Sequence, residues 1–225
     1  TMFESVALGV GGPDFYKKAL VQLDPATLAG PAMIKTFDTM ARMKAYIDRD
    51  SAGRDWNLAT AMVINGKAGM QFMGDWAKGE FTAAGKKPGA DFLCLPAPGT
   101  AKAYTFNIDS MLMFQKPKAD DQKSQLVLAS AIMSPQFQEV FSLNKGSIPV
   151  RAGVPKDKFD SCAQQSMADM DASSKAGSFV PSMAHNMAVG SAAQGAIMDV
   201  IARFMNSAMT SKDAVAALAK AARTK

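Results

Sequence analysis

Asn107 and Asp109 stand two residues apart in TFNIDSMLMFQ, residues 105–115. On an extended chain, side chains at this spacing share one face. An amide beside an acceptor-only carboxylate can take neighbouring hydroxyl groups, one donating and one accepting. The same two residue types also stabilise turns and bulges. Lys145 lies in SPQFQEVFSLNKGSIPVR, residues 134–151, and brings an ammonium with three donors. At a helix end such a group also offsets the helix dipole. His185, in SFVPSMAHNMAVG, is the single histidine. Neutral imidazole donates at one nitrogen and accepts at the other, which suits a hydroxyl, although a lone His among apolar residues is more often a satisfied core residue. Trp76 follows Gly74-Asp75, and a Trp usually serves a core.

The elements that must position these groups can be read from local signals. Ser134 is a good N-cap and Pro135 fits the first helical position, so a helix is expected over 135–144. Phe137, Val140 and Phe141 form an apolar stripe on it. Lys145-Gly146 ends it, because Gly tolerates the left-handed cap, and Ile148-Pro149-Val150 leaves extended. A helix stopped by a basic residue and a Gly delivers the Lys145 ammonium to a defined place. Asp24-Pro25 marks a short helix, and Pro31 starts another with Ile34, Phe37, Ala41, Lys44 and Ile47 on one face. Leu58 to Ile64 reads as helical, stopped by Asn65-Gly66. Further helices are expected at about 122–133, 155–170, 190–207 and 212–223, the last capped by Ser211. Ala68 to Met73 reads as a buried strand, Asp91 to Leu95 as a second strand and Tyr104 to Phe114 as a third extended stretch. Helices alternating with single, well-separated strands predict an α/β protein. Three or four strands are few for this length, and the chain looks incomplete.

The composition narrows the function. At 225 residues, 48% hydrophobic and 20% charged, the chain can bury one good core or two small ones. No apolar run approaches the ~18 residues of a spanning helix. The opening TMFESVALGVGG has neither a basic n-region nor a small-residue cleavage site, so any targeting segment is expected to lie outside this sequence. The net charge of +5 is spread along the chain, densest at Lys86-Lys87 and at Lys220, Arg223 and Lys225. That argues against nucleic acid as a partner. Two cysteines, Cys94 and Cys162, and one histidine exclude a structural zinc site. The cysteines could pair in an oxidising compartment or stay as two buried thiols, and spacing does not decide between these. The Met residues fall on expected helical faces and strands and are read as core filling.

Four segments, VINGKAGMQFMGDWAKGEF (63–81), PAPG (96–99), TFNIDSMLMFQ and SPQFQEVFSLNKGSIPVR, resemble in order and spacing the second half of the extracellular solute-binding proteins of ABC sugar importers. The match is nearest to the periplasmic glucose-binding group and covers nearly the whole chain. The resemblance implies a periplasmic-binding-protein type II fold: two α/β lobes around a cleft that closes on ligand by a hinge. Residues 1–106 would be the first part of the C-terminal lobe, 107–150 a return segment of the N-terminal lobe including the hinge, and 151–225 the second part of the C-terminal lobe. The missing N-terminal lobe of the same protein and an ABC permease in the inner membrane would be partners. The implied location is the periplasm, and no metal or organic cofactor is implied.

By the same resemblance Asn107, Asp109, Lys145 and His185 would supply polar contacts to a monosaccharide, with glucose the expected sugar, and Trp76 a stacking surface. Lys145 near Asp109 would form an ion pair that pre-orients both. An oligosaccharide or polyol is the alternative cargo. The rival of another class is a carbohydrate-active hydrolase. Ser110, Asp109 and His185 make a poor triad, because no G-x-S-x-G elbow exists and an Asp beside the Ser cannot readily orient a distant His. Asp75 and Glu80 are near each other without marking a glycosidase pair. The expectation is a binding protein and not an enzyme.

Overall fold

The computed structural model describes residues 1–224. Its elements are α1 (Met2–Tyr16), continued by a π-helical turn Lys17–Val21, then α2 (Pro25–Leu28), α3 (Pro31–Met43), a 3-10 turn Lys44–Tyr46, α4 (Trp56–Ile64), α5 (Ala77–Ala83), β1 (Tyr104–Phe106), α6 (Ala119–Ile132), α7 (Pro135–Lys145), α8 (Ser161–Lys175), β2 (Phe179–Pro181), α9 (Ser191–Met205) and α10 (Ser211–Ala221). β1 and β2 pair in parallel, Tyr104 opposite Phe179 and Phe106 opposite Pro181. A parallel pair needs a crossover, and α6, α7 and α8 form it. The α/β class is therefore present, with helices dominant. Lys225 lies outside the described residues.

The main core joins α1, α3, α9 and α10. Phe3, Leu8, Tyr16 and Leu20 meet Met33, Phe37 and Met40, then Ile197, Phe204 and Leu218, with Val180 of β2 at one edge. Phe37 is its centre: its ring lies 5.2 Å from Phe3 and 4.9 Å, edge-on, from Phe204. Burial of each such side chain stabilises by about 1.5–3 kcal/mol. Lys44 crosses to α9, donating to the Phe204 and Ser207 carbonyls and lying 4.4 Å from the Phe204 ring centre. It satisfies carbonyls at the end of that helix. α1 bends at Gly12-Pro13, where Gly12 takes φ 76, open to Gly at no steric cost. A smaller core of Val154, Phe159, Ala163 and Met167 lies under α8.

The caps behave as their residues require. Ser134 accepts from the Phe137 N–H, Asp24 from the Thr27 N–H and Asp160 from the Ala163 N–H. Several expectations are corrected. The last helix is capped by Thr210, one residue before Ser211, and the helix expected at 155–170 starts at Ser161. The core face of α3 is Met33, Thr36, Phe37 and Met40, leaving Ala41 exposed, because the methionines take the interior. Ala68 to Met73 is irregular and only partly covered. Asp91 to Leu95 contributes one bridge, Pro88 to Phe92, with Leu93 and Leu95 exposed. β1 stops at Phe106, so Ile108 and Met111 to Phe114 lie in irregular, exposed chain. Short apolar runs mimic buried strands when no neighbouring strand is present to pair with them. Not all methionines fill core: Met33, Met40 and Met183 do, whereas Met70, Met111 and Met113 are exposed.

Cys94 and Cys162 form a disulfide with Cα atoms 5.7 Å apart, which settles the pairing left open by spacing. It ties the irregular chain after α5 to α8 across 68 residues. In the chain-entropy account, closing a loop of that length contributes about 4 kcal/mol. Replacing both cysteines by serine is expected to cost roughly that much in guanidinium unfolding, and reductant should then leave the midpoint of the variant unchanged.

Candidate binding site

Lys145 owes its position to a contact between two backbones. Gly146 follows it with φ 85, the left-handed cap, and its N–H donates to the Ser142 carbonyl at 2.9 Å. Gly79 of α5 faces this turn. A Cβ on Gly79 would stand 2.7 Å from the Lys145 carbonyl oxygen, and one on Gly146 would overlap the Gly79 nitrogen. Both positions therefore need glycine, and together they press the end of α7 onto the start of α5. The start of α5 carries Asp75 and Trp76. Gly74 has no side chain to obstruct the Trp76 ring, which would otherwise meet its Cβ. The indole then meets His185 edge-on, with ring centres 5.1 Å apart.

Lys145 pairs with Asp109 through its ammonium and lies 5.5 Å from the Phe141 ring centre. Asp109 is 60% exposed and Lys145 32%. An ion pair in that much water contributes little to stability, so its consequence is orientation: it holds a carboxylate and an ammonium side by side beyond β1. Burial holds the His185 imidazole below its ordinary value of 6.5, against the charge of Glu4 and the weaker effect of Asp109, both of which act to raise it. Asp109, Lys145, His185 and Trp76 thus share one neighbourhood. Asn107 sits exposed just past β1, and among the described residues its side chain has no hydrogen-bonding protein partner.

The geometry adds residues that the sequence pattern did not single out. Asp75 is withdrawn from water, which raises its pKa above the ordinary 3.8, while Lys78 and Lys145 pull it down. Its signal was its place beside Trp76. Lys78 bonds Asp160 at 2.6 Å and so fixes α5 to the cap of α8. Tyr104 of β1 donates to or accepts from Ser166 at 2.8 Å, and burial pushes its hydroxyl up to about 12. Glu4 and Ser182 stand behind His185. Nothing in MFESVALG distinguishes Glu4 from a solvated helix residue, yet it is 2% exposed.

The apolar stripe on α7 does not face a core. Phe137, Val140 and Phe141 line an open hollow with Asn144 and Lys145, while Gln138 and Ser142 are the buried residues of that helix. α6 buries none of its residues, and Leu126, Val127 and Leu128 are exposed.

Residues 3–168 match the family model of the bacterial extracellular solute-binding proteins. The chain belongs to this family. Among curated relatives, a probable sugar-binding periplasmic protein of Brucella suis is 50% identical over 221 residues, 98% of this chain and 52% of that protein. A probable sugar-binding periplasmic protein of Rhizobium meliloti is 48% identical, over 98% of this chain and 53% of its own length. An uncharacterized ABC transporter extracellular-binding protein of Pyrococcus horikoshii is 32% identical, over 94% of this chain and 45% of its own. The chain spans about half the length of the curated relatives it matches.

Two expected outcomes test the site's construction. Gly79→Ala should force α5 from α7 and destabilise the fold by about 1–3 kcal/mol, as overpacking does, and thermal unfolding reads this directly. Asp75→Asn should raise the melting temperature at pH 7. The folded carboxyl has a raised pKa, so the folded state binds more protons than the unfolded one between 3.8 and that raised value, and stability falls as pH rises through this window. The advantage of the Asn variant should fade as pH is lowered through the same window.

Proposed function

We propose that the chain is part of the substrate-binding component of an ABC importer in the periplasm, capturing a monosaccharide, glucose in the first instance, and delivering it to a membrane permease. The observation that carries this reading is the meeting of Asp109, Lys145, His185 and Trp76 around one neighbourhood, with Asn107 at its margin. A carboxylate, an ammonium, an imidazole and an indole face offer what a pyranose needs: charged partners for its hydroxyls and an apolar plate for its C–H face. Bonds from hydroxyls to charged groups contribute about 1.5–3 kcal/mol each. The names of the relatives from Brucella suis and Rhizobium meliloti support a sugar as cargo, and the family supports a carrier in place of an enzyme.

In this reading residues 1–106 and 151–225 belong to a C-terminal lobe, and 107–150 is a return segment that seats in an N-terminal lobe carried by the other half of the protein. The exposure of Ile108, Met111 to Phe114, Leu126 to Leu128, Val140 and Phe141 supports that division. These residues fall within one stretch of chain, and large apolar side chains left in water over such a stretch are what a segment seated in another lobe would carry. The sugar would bridge the lobes and favour the closed, permease-competent form.

Isothermal titration of the complete two-lobed protein with glucose, galactose and maltose tests the reading. Glucose should give saturable heat, and Lys145→Met or His185→Ala should weaken it by roughly 10- to 100-fold. Heat from maltose alone would overturn the monosaccharide assignment, and turnover of a chromogenic glycoside would overturn the carrier role.

A further inference from the structure

We infer that Glu4, acting through Ser182, fixes His185 in the tautomer that carries its proton on Nδ1 and leaves Nε2 as an acceptor for a solute hydroxyl. The choice of solute rests on the sugar reading above; the tautomer does not. Glu4 on α1 is buried, and its carboxylate collects donors from the loop after β2. The Met183 N–H donates at 2.9 Å and the Ala184 N–H at 3.2 Å, both to the same oxygen. The Tyr16 hydroxyl lies 3.0 Å from that oxygen and 2.9 Å from the Pro181 carbonyl. Burial, reinforced by the Glu4 charge, raises the Tyr16 pKa and keeps this hydroxyl a donor. The Ser182 hydroxyl approaches both carboxylate oxygens, at 2.9 and 3.0 Å.

Ser182 has one hydroxyl hydrogen. The carboxylate can only accept, so that hydrogen goes to Glu4. Ser182 Oγ also lies 2.8 Å from His185 Nδ1. With its hydrogen committed, the oxygen must accept there, and Nδ1 must carry the proton. The bond made by one ring nitrogen sets the state of the other, so Nε2 presents a lone pair. Among the described residues no hydrogen bond occupies Nε2, and no buried side-chain nitrogen or oxygen lacks a partner, so Nε2 is reached by solvent. Trp76, edge-on to the imidazole, limits how the ring can turn away from Ser182. The site therefore offers directed acceptors at His185 and Asp109 and donors at Lys145. A ligand hydroxyl facing His185 must donate.

The test is the ring-nitrogen spectrum of the 15N-labelled chain, in which His185 is the single histidine. At pH 8, above the ordinary histidine value, the expected pattern is a protonated Nδ1 and an unprotonated Nε2. Ser182→Ala should move the proton to Nε2, the form an unconstrained imidazole prefers, and, in the complete two-lobed protein, weaken glucose binding about tenfold. Ser182→Thr keeps the hydroxyl and should restore both. Glu4→Gln should also shift the proton, because an amide can donate to Ser182 and free its hydrogen for Nδ1. If Glu4→Gln fails to fold, Ser182→Ala, which deletes one oxygen, still decides the matter. An Nε2-protonated wild type, or a tautomer indifferent to Ser182→Ala, overturns the inference even if glucose binds. A protonated Nδ1 in the chain, together with a complete two-lobed protein that gives no heat with saturating glucose, keeps the tautomer and overturns the sugar reading.

Discussion

The close approach of Gly79 to the Lys145-Gly146 turn is the contact on which the rest of the site depends. Neither glycine could carry a side chain there. Without that contact, the start of α5 and the end of α7 would stand apart, and Trp76 and Asp75 would not share a neighbourhood with Lys145. Two helix ends placed this way need few further restraints. Lys78 reaches Asp160 and ties α5 to α8, and α8 packs on the parallel strands that release Asn107 and Asp109. Positioning runs from backbone sterics to side-chain chemistry. The ion pair between Lys145 and Asp109 is a consequence of the arrangement and too exposed to be its cause.

The site rests on supports of unequal strength. His185 is held from behind by a buried network rooted in α1, which belongs to the main core. Lys145 and Asp109 are held at the edge of a segment with little core of its own. In the proposed reading, a rigid acceptor on one side and an adjustable donor–acceptor pair on the other would suit a carrier that must grip and release. Burial of Glu4 is tolerable because its carboxylate has donors enough to replace water.

Much of the helical frame was legible from caps and breakers. Ser134, Pro135 and Gly146 delimited α7, and Asp24-Pro25 and Asn65-Gly66 delimited their helices, because these are local effects of backbone chemistry. Strands were not. Ala68 to Met73 and Asp91 to Leu95 have strand-like composition, but strand pairing is a long-range event that composition does not carry. β2 was missed for the same reason: three residues without alternation give no period. The candidate residues Lys145, Asp109, His185 and Trp76 were singled out by residue type together with the family resemblance, and the fold sets them in one neighbourhood. Glu4 was invisible because, Tyr16 apart, its hydrogen-bond partners lie about 180 residues away along the chain. Ser182 looked like an ordinary loop serine until the fold set it between Glu4 and His185.

The apolar stripe of α7 shows where helical periodicity misleads in an informative way. Phe137, Val140 and Phe141 have the spacing of a core-facing helix, yet the buried positions are Gln138 and Ser142. Gln138 is buried because its side chain bonds the Ile132 carbonyl and the Val150 N–H, bracing α7 against the chain on either side. A polar residue so committed cannot rotate outward to let the stripe turn in. The helix is therefore locked with its apolar face open, as a surface prepared for another element would be. An unsatisfied stripe held in place by satisfied polar groups costs solvation in the isolated chain. In the proposed reading that cost is recovered when the second lobe covers it, and the same covering would fix the Lys145 end of the site against the His185 end.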